Sequence, residues 1–522
     1  MKSLPRLSGC ACCPMNRRNF LARGGAAAAG AIGFATGAVP LAAAPSGDAP
    51  RIRIIYSLHG EQQTGPDWPN KGFDFGPVMQ RVNSGLAQRC EGFEFVTSLA
   101  KGEEQAKEIL ARDNAEGGID GYLVYQMNCW NRVVQTIAAS GKPVLYADFQ
   151  FGGSGGFLVY NAGFLRAGAS NVGFVASPDI GELAAAVMCF GLVKKGGTPR
   201  EFVDATARVR AKATPAAGDT AVREDTLRCL PAGECRKLLE QSRILAVRDE
   251  KAGSEPAVAG ITVERIPFAE VNQAWASADK DESREVAARW TKSAAKVEGV
   301  SAETLEASAA MYLGMKSLLK KHDARGITVN CLGGFYGNHI HAYPCLGFHE
   351  LNNEGLVGGC ECDVRSAATM LIGTTLTGGR PGYISDPVID TSKRQIIYAH
   401  CVASNKVFGP GGAANPFEIL THSEDRQGAS VRSIMPPGYL TTTLEFDQGR
   451  KEILFHQARA VGNDPDDRAC RTKLCAEPVG DIEKLFTMWD KWGWHRVTFY
   501  GDLRDPVHEL ADALGWKVVE EA

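Results

Sequence analysis

Two doubly wound (Rossmann- or flavodoxin-like) α/β domains, followed by a mostly antiparallel, β-barrel-like C-terminal domain, is the fold class this chain predicts. Three observations carry it. From Arg51 to Asn330 short apolar runs alternate with amphipathic helical stretches, and strands that alternate with helices pair in parallel. After about Arg394 the helical periodicity gives way to strands separated by Gly, Pro and Asn turns. At 522 residues the chain also exceeds what one hydrophobic core serves. The expected boundaries are residues 1–44 for an export signal, 50–172 for the first α/β domain, 173–392 for the second, and 393–522 for the β domain with its closing helices.

The N-terminus carries Asn16-Arg17-Arg18-Asn19-Phe20-Leu21, then a Gly/Ala-rich apolar run from about Gly24 to Leu41, then Ala42-Ala43-Ala44. This order reads as a twin-arginine signal cleaved near Ala44. The run is rich in Ala and Gly rather than Leu, short of the hydrophobicity of a membrane span. The twin-arginine (Tat) export machinery is therefore an expected partner. The mature chain is expected in the periplasm or another extracytoplasmic space, without stable membrane insertion.

Arg51–Tyr56 opens the first domain as a strand, with further strands at Phe93–Val96, Gly121–Tyr125 and Pro143–Tyr146 and helices at Glu103–Asn114 and Val133–Ser140. Phe151-Gly-Gly-Ser-Gly-Gly-Phe157 lacks the spacing of a dinucleotide fingerprint and reads as a flexible loop. Ile244–Val247 and Ile327–Asn330 supply strands of the second domain, Glu303–Lys321 a long helix, and Glu270–Val297 a charged helical stretch. In the last domain Gln395–His400, Tyr439–Glu445 and Glu452–Gln457 are strands, and helices are expected over Asp481–Trp492 and Pro506–Leu514.

Hydrophobic content of 44%, charged content of 22% and a formal net charge of -3 lack the basic excess that nucleic-acid binding needs. Twelve of the 15 cysteines lie beyond the signal, without a paired C-x-x-C zinc framework. Cys470 with Cys475, and Cys229 with Cys235, are candidates for local disulfides in an oxidising compartment, and most of the others read as buried thiols.

Polar side chains able to act as ligands crowd between Asn330 and Asp390. In Gly358-Gly-Cys-Glu361-Cys-Asp363-Val364, read as extended, alternation places Cys360 and Cys362 on one face and Glu361 and Asp363 on the other. A helix over Ser366–Leu376 follows, then Leu376-Thr-Gly-Gly, then Gly382-Tyr-Ile-Ser-Asp386, a second carboxylate ending a strand-like segment at the crevice edge of an α/β arrangement. Taken singly, a glutamate between two cysteines is more often a strand residue in an ion pair, and a lone histidine after a tryptophan is usually packed in a core.

The order Cys-Glu361-Cys-Asp363, helix, Leu376-Thr377-Gly378, Ser385-Asp386 resembles bacterial L-fucose isomerases, whose pattern is Thr-Glu-Asn-Asp, a helix, Leu-Thr-Gly and a strand ending in Ala-Asp. Trp492-Gly493-Trp494-His495-Arg496-Val497 resembles the family's Trp-Gly-Ala-Asn-His-Gly-Val. The resemblance, which extends to L-arabinose isomerases, implies that Glu361, Asp386 and His495 bind a catalytic Mn²⁺ (or Mg²⁺ or Co²⁺), with Glu361 and Asp386 sharing the acid/base work. It implies Asn338 and Trp494 as sugar contacts. His400 and His422 lie near where arabinose isomerases place an additional metal-binding histidine, and either is a candidate to line the pocket or to serve structure. The chain departs from the pattern in being shorter, in an extra residue around Gly379, and in Trp494 standing where the family has a sugar-binding Asn.

The expected activity is that of an aldose–ketose isomerase acting on a small carbohydrate through a cis-enediol, whose developing negative charge a Lewis acid stabilises. The resemblance further implies a homo-oligomer, trimer or hexamer. Two alternatives stand beside it: an epimerase, lyase or hydrolase using the same site, and a non-catalytic periplasmic sugar-binding protein with two α/β lobes.

Overall fold

The computed structural model describes residues 49–219, 221–248 and 251–522, so the expected signal over residues 1–44 lies outside the described residues. Strands β1 (Arg51–Ser57), β2 (Glu94–Ala100), β3 (Gly121–Gln126), β4 (Val144–Asp148) and β5 (Val172–Val175) form a wholly parallel sheet in the order β2-β1-β3-β4-β5. Its central strands β3 and β4 are buried along their whole length, as apolar strands covered on both faces are.

A second sheet takes β6 (Arg243–Arg248), β7 (Gly253–Val258), β8 (Ile261–Pro267), β10 (Gly326–Val329) and β11 (Val357–Cys360) in the order β11-β10-β6-β8-β7. All of its pairings are parallel except the β7–β8 hairpin. The charged stretch between β8 and β10 divides into two helices, Phe268–Ala276 and Lys280–Ser293. Asp279 starts the second of these by accepting from the amides of Asp281 and Glu282.

The third sheet holds β12 (Tyr383–Asp390), β13 (Gln395–His400), β16 (Leu440–Asp447), β17 (Glu452–Asn463), β18 (Thr472–Pro478), β19 (Arg496–Tyr500) and β20 (Lys517–Glu520). Every pairing in it is antiparallel except β17 with β20, and β16 pairs with β17 as well as with β19, so the sheet curls back on itself. The barrel-like expectation is thus met in the coarser form of a sheet-rich C-terminal region. A small sheet of β9 (Lys296–Glu298), β14 (Phe417–Leu420) and β15 (Ser430–Ser433) lies beside it.

One core cluster runs from the second sheet into the third, and another joins the first sheet to the third. The helix Val364–Leu376 belongs to the first of these clusters through Ala367, Ala368, Met370, Leu371, Ile372 and Leu376, and is buried at every residue from Ser366 to Leu376. Among the described residues no helix is long and apolar enough to cross a membrane.

Three local expectations need correction. The glycine-rich stretch is no flexible loop: Ser154–Ala167 is a helix whose first residues are buried. A Cβ on Gly153 would stand 2.0 Å from the Gln126 carbonyl oxygen and one on Gly155 2.5 Å from the Trp494 ring, so the glycines are there for close packing. The helix expected over Asp481–Trp492 shrinks to a 3₁₀ turn at Lys484–Phe486 and a short helix at Trp489–Trp492. Cys470, Cys475, Cys229 and Cys235 are all free thiols: Cys475 lies within β18 opposite Ile397 while Cys470 precedes that strand, and Cys235 is enclosed in the core.

Candidate metal centre

Glu361 does not lie on an extended strand. β11 stops at Cys360, and Glu361 and Cys362 turn with φ of 62° and 52°, two consecutive non-glycine residues in the left-handed region. Each such residue costs about 1–3 kcal/mol and is held only where its surroundings over-determine it, which is why these residues cluster at functional sites. The turn also undoes the expected alternation. Cys362 packs with Ala246 and Val263 and accepts from Arg248 Nε at 3.1 Å, whereas Cys360 turns toward Cys331. Asp363, next in line, caps the helix Val364–Leu376 by accepting from the amides of Arg365 and Ser366.

Asp386 does not end a strand of the second sheet. It lies inside β12 of the third, opposite Ala399, one residue before His400 on the neighbouring β13. His495 immediately precedes β19, the neighbour of β12 on its other side. Four side chains from two sheets therefore converge: Glu361, Asp386, His400 and His495 each offer one ligand atom, all within 4.8 Å of one another. His495 Nε2 stands 3.2 Å from Asp386 Oδ1 and 3.5 Å from Glu361 Oε2, and His400 Nε2 stands 3.8 Å from Glu361 Oε1 and 3.9 Å from Asp386 Oδ2. Asp386 Oδ1 and His400 Nε2 are buried with no hydrogen-bond partner. A polar atom left so in a protein interior is costly, and a bound cation relieves the carboxylate while a bound ligand relieves the imidazole.

The imidazoles differ in what holds them. His495 Nδ1 donates to Asp363 Oδ2 at 2.8 Å, which directs its Nε2 lone pair at the carboxylates, the carboxylate–histidine arrangement typical of metal sites. His400 Nδ1 accepts from the Cys401 amide at 2.9 Å, so in the neutral ring the proton sits on Nε2. Burial opposes charge on His495, but the negative carboxylates of Asp386, Asp363 and Glu361 around the ring hold its pKa well above the usual range. Burial likewise raises Glu361, yet His495 and His400 outweigh it and lower the carboxyl.

Trp494 donates its indole N–H to the Pro387 carbonyl at 2.9 Å, next to Asp386, and meets Trp68 and Trp130 edge-on at 5.0 and 6.1 Å. Gly155 gives that ring its room, so the first sheet supplies an aromatic wall to a centre built by the other two. Asn338 is not drawn into this group. It sits exposed on a turn whose neighbour His339 stacks on Phe268.

Two residues escaped selection from sequence. Asp363 was visible as an acidic neighbour of Glu361, but its bond to a histidine 132 positions away was not. Glu424 lies on the turn after β14, where Ser423 Oγ meets Cys401 Sγ at 3.6 Å and the Glu424 carbonyl accepts from Lys71 N. Burial raises the Glu424 carboxyl well above the usual range. His422 opposes this, while the charges of Asp67 and Glu361 add to it. The sequence Thr421-His-Ser-Glu424 signals polarity in an apolar strand context, but nothing local marks Glu424 as buried.

No family model matches this chain. Among curated proteins it is similar to a sulfoquinovose isomerase of Clostridium sp. (strain MSTE9), 26% identical over 268 residues, covering 49% of this chain and 57% of the relative. It is also similar to sulfoquinovose isomerases of Alkalicoccus urumqiensis, 26% identical over 212 residues (40% of this chain, 41% of the relative), and of Priestia megaterium, 29% identical over 115 residues (22% and 24%). The chain thus spans little more than half the length of these relatives at best. Among solved structures, a solute-binding protein of Burkholderia multivorans aligns with 56% of this chain and 85% of its own at 11% identity and a TM-score of 0.16, a likeness that carries no argument.

Proposed function

We propose that this chain is a divalent-metal-dependent isomerase that interconverts an aldose and a ketose, with Mn²⁺ as the expected ion and Mg²⁺ or Co²⁺ as substitutes. The observation that carries this reading is the convergence of Glu361, Asp386, His400 and His495 with a carboxylate oxygen and an imidazole nitrogen left buried and unpartnered. Hard oxygen donors with imidazole suit these ions better than a closed structural zinc. The likeness to sulfoquinovose isomerases supports the reaction class and makes sulfoquinovose the first sugar to test.

Isomerisation moves one proton from C2 to C1 and another from the C2 hydroxyl to the C1 oxygen. A bound divalent ion supplies Lewis-acid stabilisation of the negative charge that develops on those oxygens. In this reading Glu361 and Asp386 share the carriage of the C2 proton. Through Asp363, His495 is held as a ligand. With its proton on Nε2, His400 is a hydrogen-bond donor to a sugar oxygen, the substrate contact expected of it. Trp494, Trp68 and Trp130 exclude water from one side and offer an apolar face for the sugar ring.

The test is metal analysis by mass spectrometry, followed by turnover of sulfoquinovose, L-fucose and L-arabinose with solvent deuterium uptake at C2. About one ion per chain is expected, lost in Glu361→Gln, Asp386→Asn and His495→Ala, together with deuterium uptake that requires the metal. A wild-type chain that takes up no divalent ion overturns the reading.

A further inference from the structure

Trp494 stands between two residues of the metal centre, next to His495 in the chain and across the sheet from Asp386. The register of β12 with β19 sets Tyr383 opposite Thr498, Ile384 opposite Val497 and Ser385 opposite Arg496. Carried on by two positions, it sets Asp386 opposite His495, in accord with the 3.2 Å between their side chains, and Pro387 opposite Trp494. The backbone ladder stops short of both pairs. Proline has no N–H with which to extend it, and the Trp494 indole N–H instead donates to the Pro387 carbonyl at 2.9 Å. A side chain thus closes the end of the strand pair where the main chain does not, between the residues that supply a carboxylate and an imidazole to the centre.

The place of that ring is set from the first sheet. Gly155 lies in the first turn of the helix Ser154–Ala167, and a Cβ there would stand 2.5 to 2.7 Å from three carbons of the Trp494 ring. The start of this helix is itself fixed: Ser154 Oγ donates to Asp148 Oδ2 at 2.8 Å, at the end of β4. Trp68 and Trp130 meet the ring edge-on on other sides. An indole has one polar atom, a donor, and here the main chain occupies it. Trp494 therefore has no hydrogen bond to offer a sugar, only an apolar surface, and its ring cannot move toward the helix.

We propose that Trp494 is a positioning residue: its indole N–H holds Asp386 in register with His495, and Gly155 sets where the ring stands. The proposal deepens the metal-centre reading given above and rests on it for the identity of the centre.

The experiment follows the full chain by NMR with isotopically labelled tryptophan and histidine, first without metal. The indole signal missing from Trp494→Phe identifies Trp494, and the ring signals missing from His495→Ala identify His495. The Trp494 indole N–H is expected to exchange with solvent about tenfold faster in Gly155→Ala than in the wild type, and the His495 ring signals are expected to shift in Trp494→Phe. Mn²⁺ is then added, and its affinity, read by competition with a chelator, is expected to fall about tenfold in both variants, with the circular dichroism of the wild type. Trp130→Ala, which removes one wall of the ring from a partly exposed position, takes the place of Gly155→Ala should that variant fail to fold. Equal indole exchange in wild type and Gly155→Ala, or His495 signals and Mn²⁺ affinity left unchanged by Trp494→Phe, overturns the proposal. A wild type that binds no Mn²⁺ overturns the isomerase reading alone, because exchange and ring shifts are read on the metal-free chain.

Discussion

The third sheet contains two buried histidine–carboxylate clusters that differ in how far their polar atoms are satisfied. In the first, His456 Nδ1 donates to Glu521 at 2.8 Å, its Nε2 meets the Tyr398 hydroxyl at 2.7 Å, and Arg496 bonds Glu521 at 2.6 Å, so no side-chain atom of the four is left without a partner. In the second, around His495 and His400, a carboxylate oxygen and a ring nitrogen are left bare. The first cluster is fully enclosed, whereas the Glu361 side chain keeps 21% of its surface exposed at the edge of the second. A saturated network rigidifies a fold, while an unsaturated one is retained against its own cost and marks a place where something else binds.

Breaking the saturated cluster has the largest expected effect on stability. Glu521→Gln leaves Arg496 buried without its counter-charge and is expected to cost about 3–5 kcal/mol in urea unfolding, while metal content per folded chain is unchanged. If that variant loses metal with little loss of stability, the two clusters are one functional unit and the comparison fails.

The pH dependence follows next. Burial raises the Glu521 carboxyl, but Arg496 and His456 outweigh it and bring it from 4.5 to about 2. A depressed carboxyl contributes stability that is complete above its unfolded pKa and is lost as pH falls through its folded one. The wild type should therefore lose about 3 kcal/mol between pH 5 and pH 2 from this group, a slope that acid titration of Glu521→Gln should lack.

In the unsaturated cluster, Asp363→Asn removes the acceptor that orients His495. Metal affinity is expected to fall about 10–100-fold, read by competition with a chelator, with the fold intact by circular dichroism. The smallest effect is expected at Glu424. Glu424→Gln, outside the four converging donors, should keep full metal content. Loss of metal in that variant would instead move Glu424 into the ligand set.

Much of this was open to reading along the chain. The alternation that places β1, β3 and β4, the helix after Asp363 and the strands at Gln395 and Glu452 is set by side-chain periodicity within each segment, and periodicity is a local property. Glu361, Asp386 and His495 stood out by their order among helix, Leu-Thr-Gly and tryptophan-rich landmarks. Asn338 did not join them because a loop has no periodicity to fix where it goes, and here it ends on an exposed turn.

What the sequence by itself determined is therefore a part of the elements, those with a strong local period, and three candidate donors. The tertiary structure alone decided that Glu361 turns left-handed rather than continuing a strand, that Asp386 belongs to the third sheet beside His400, and that Gly155 makes space for Trp494. Each of those outcomes depends on atoms more than a dozen residues distant, through strand register, close backbone approach or a hydrogen bond across sheets. Local propensity contains no term for such contacts, so only the packed chain could settle them.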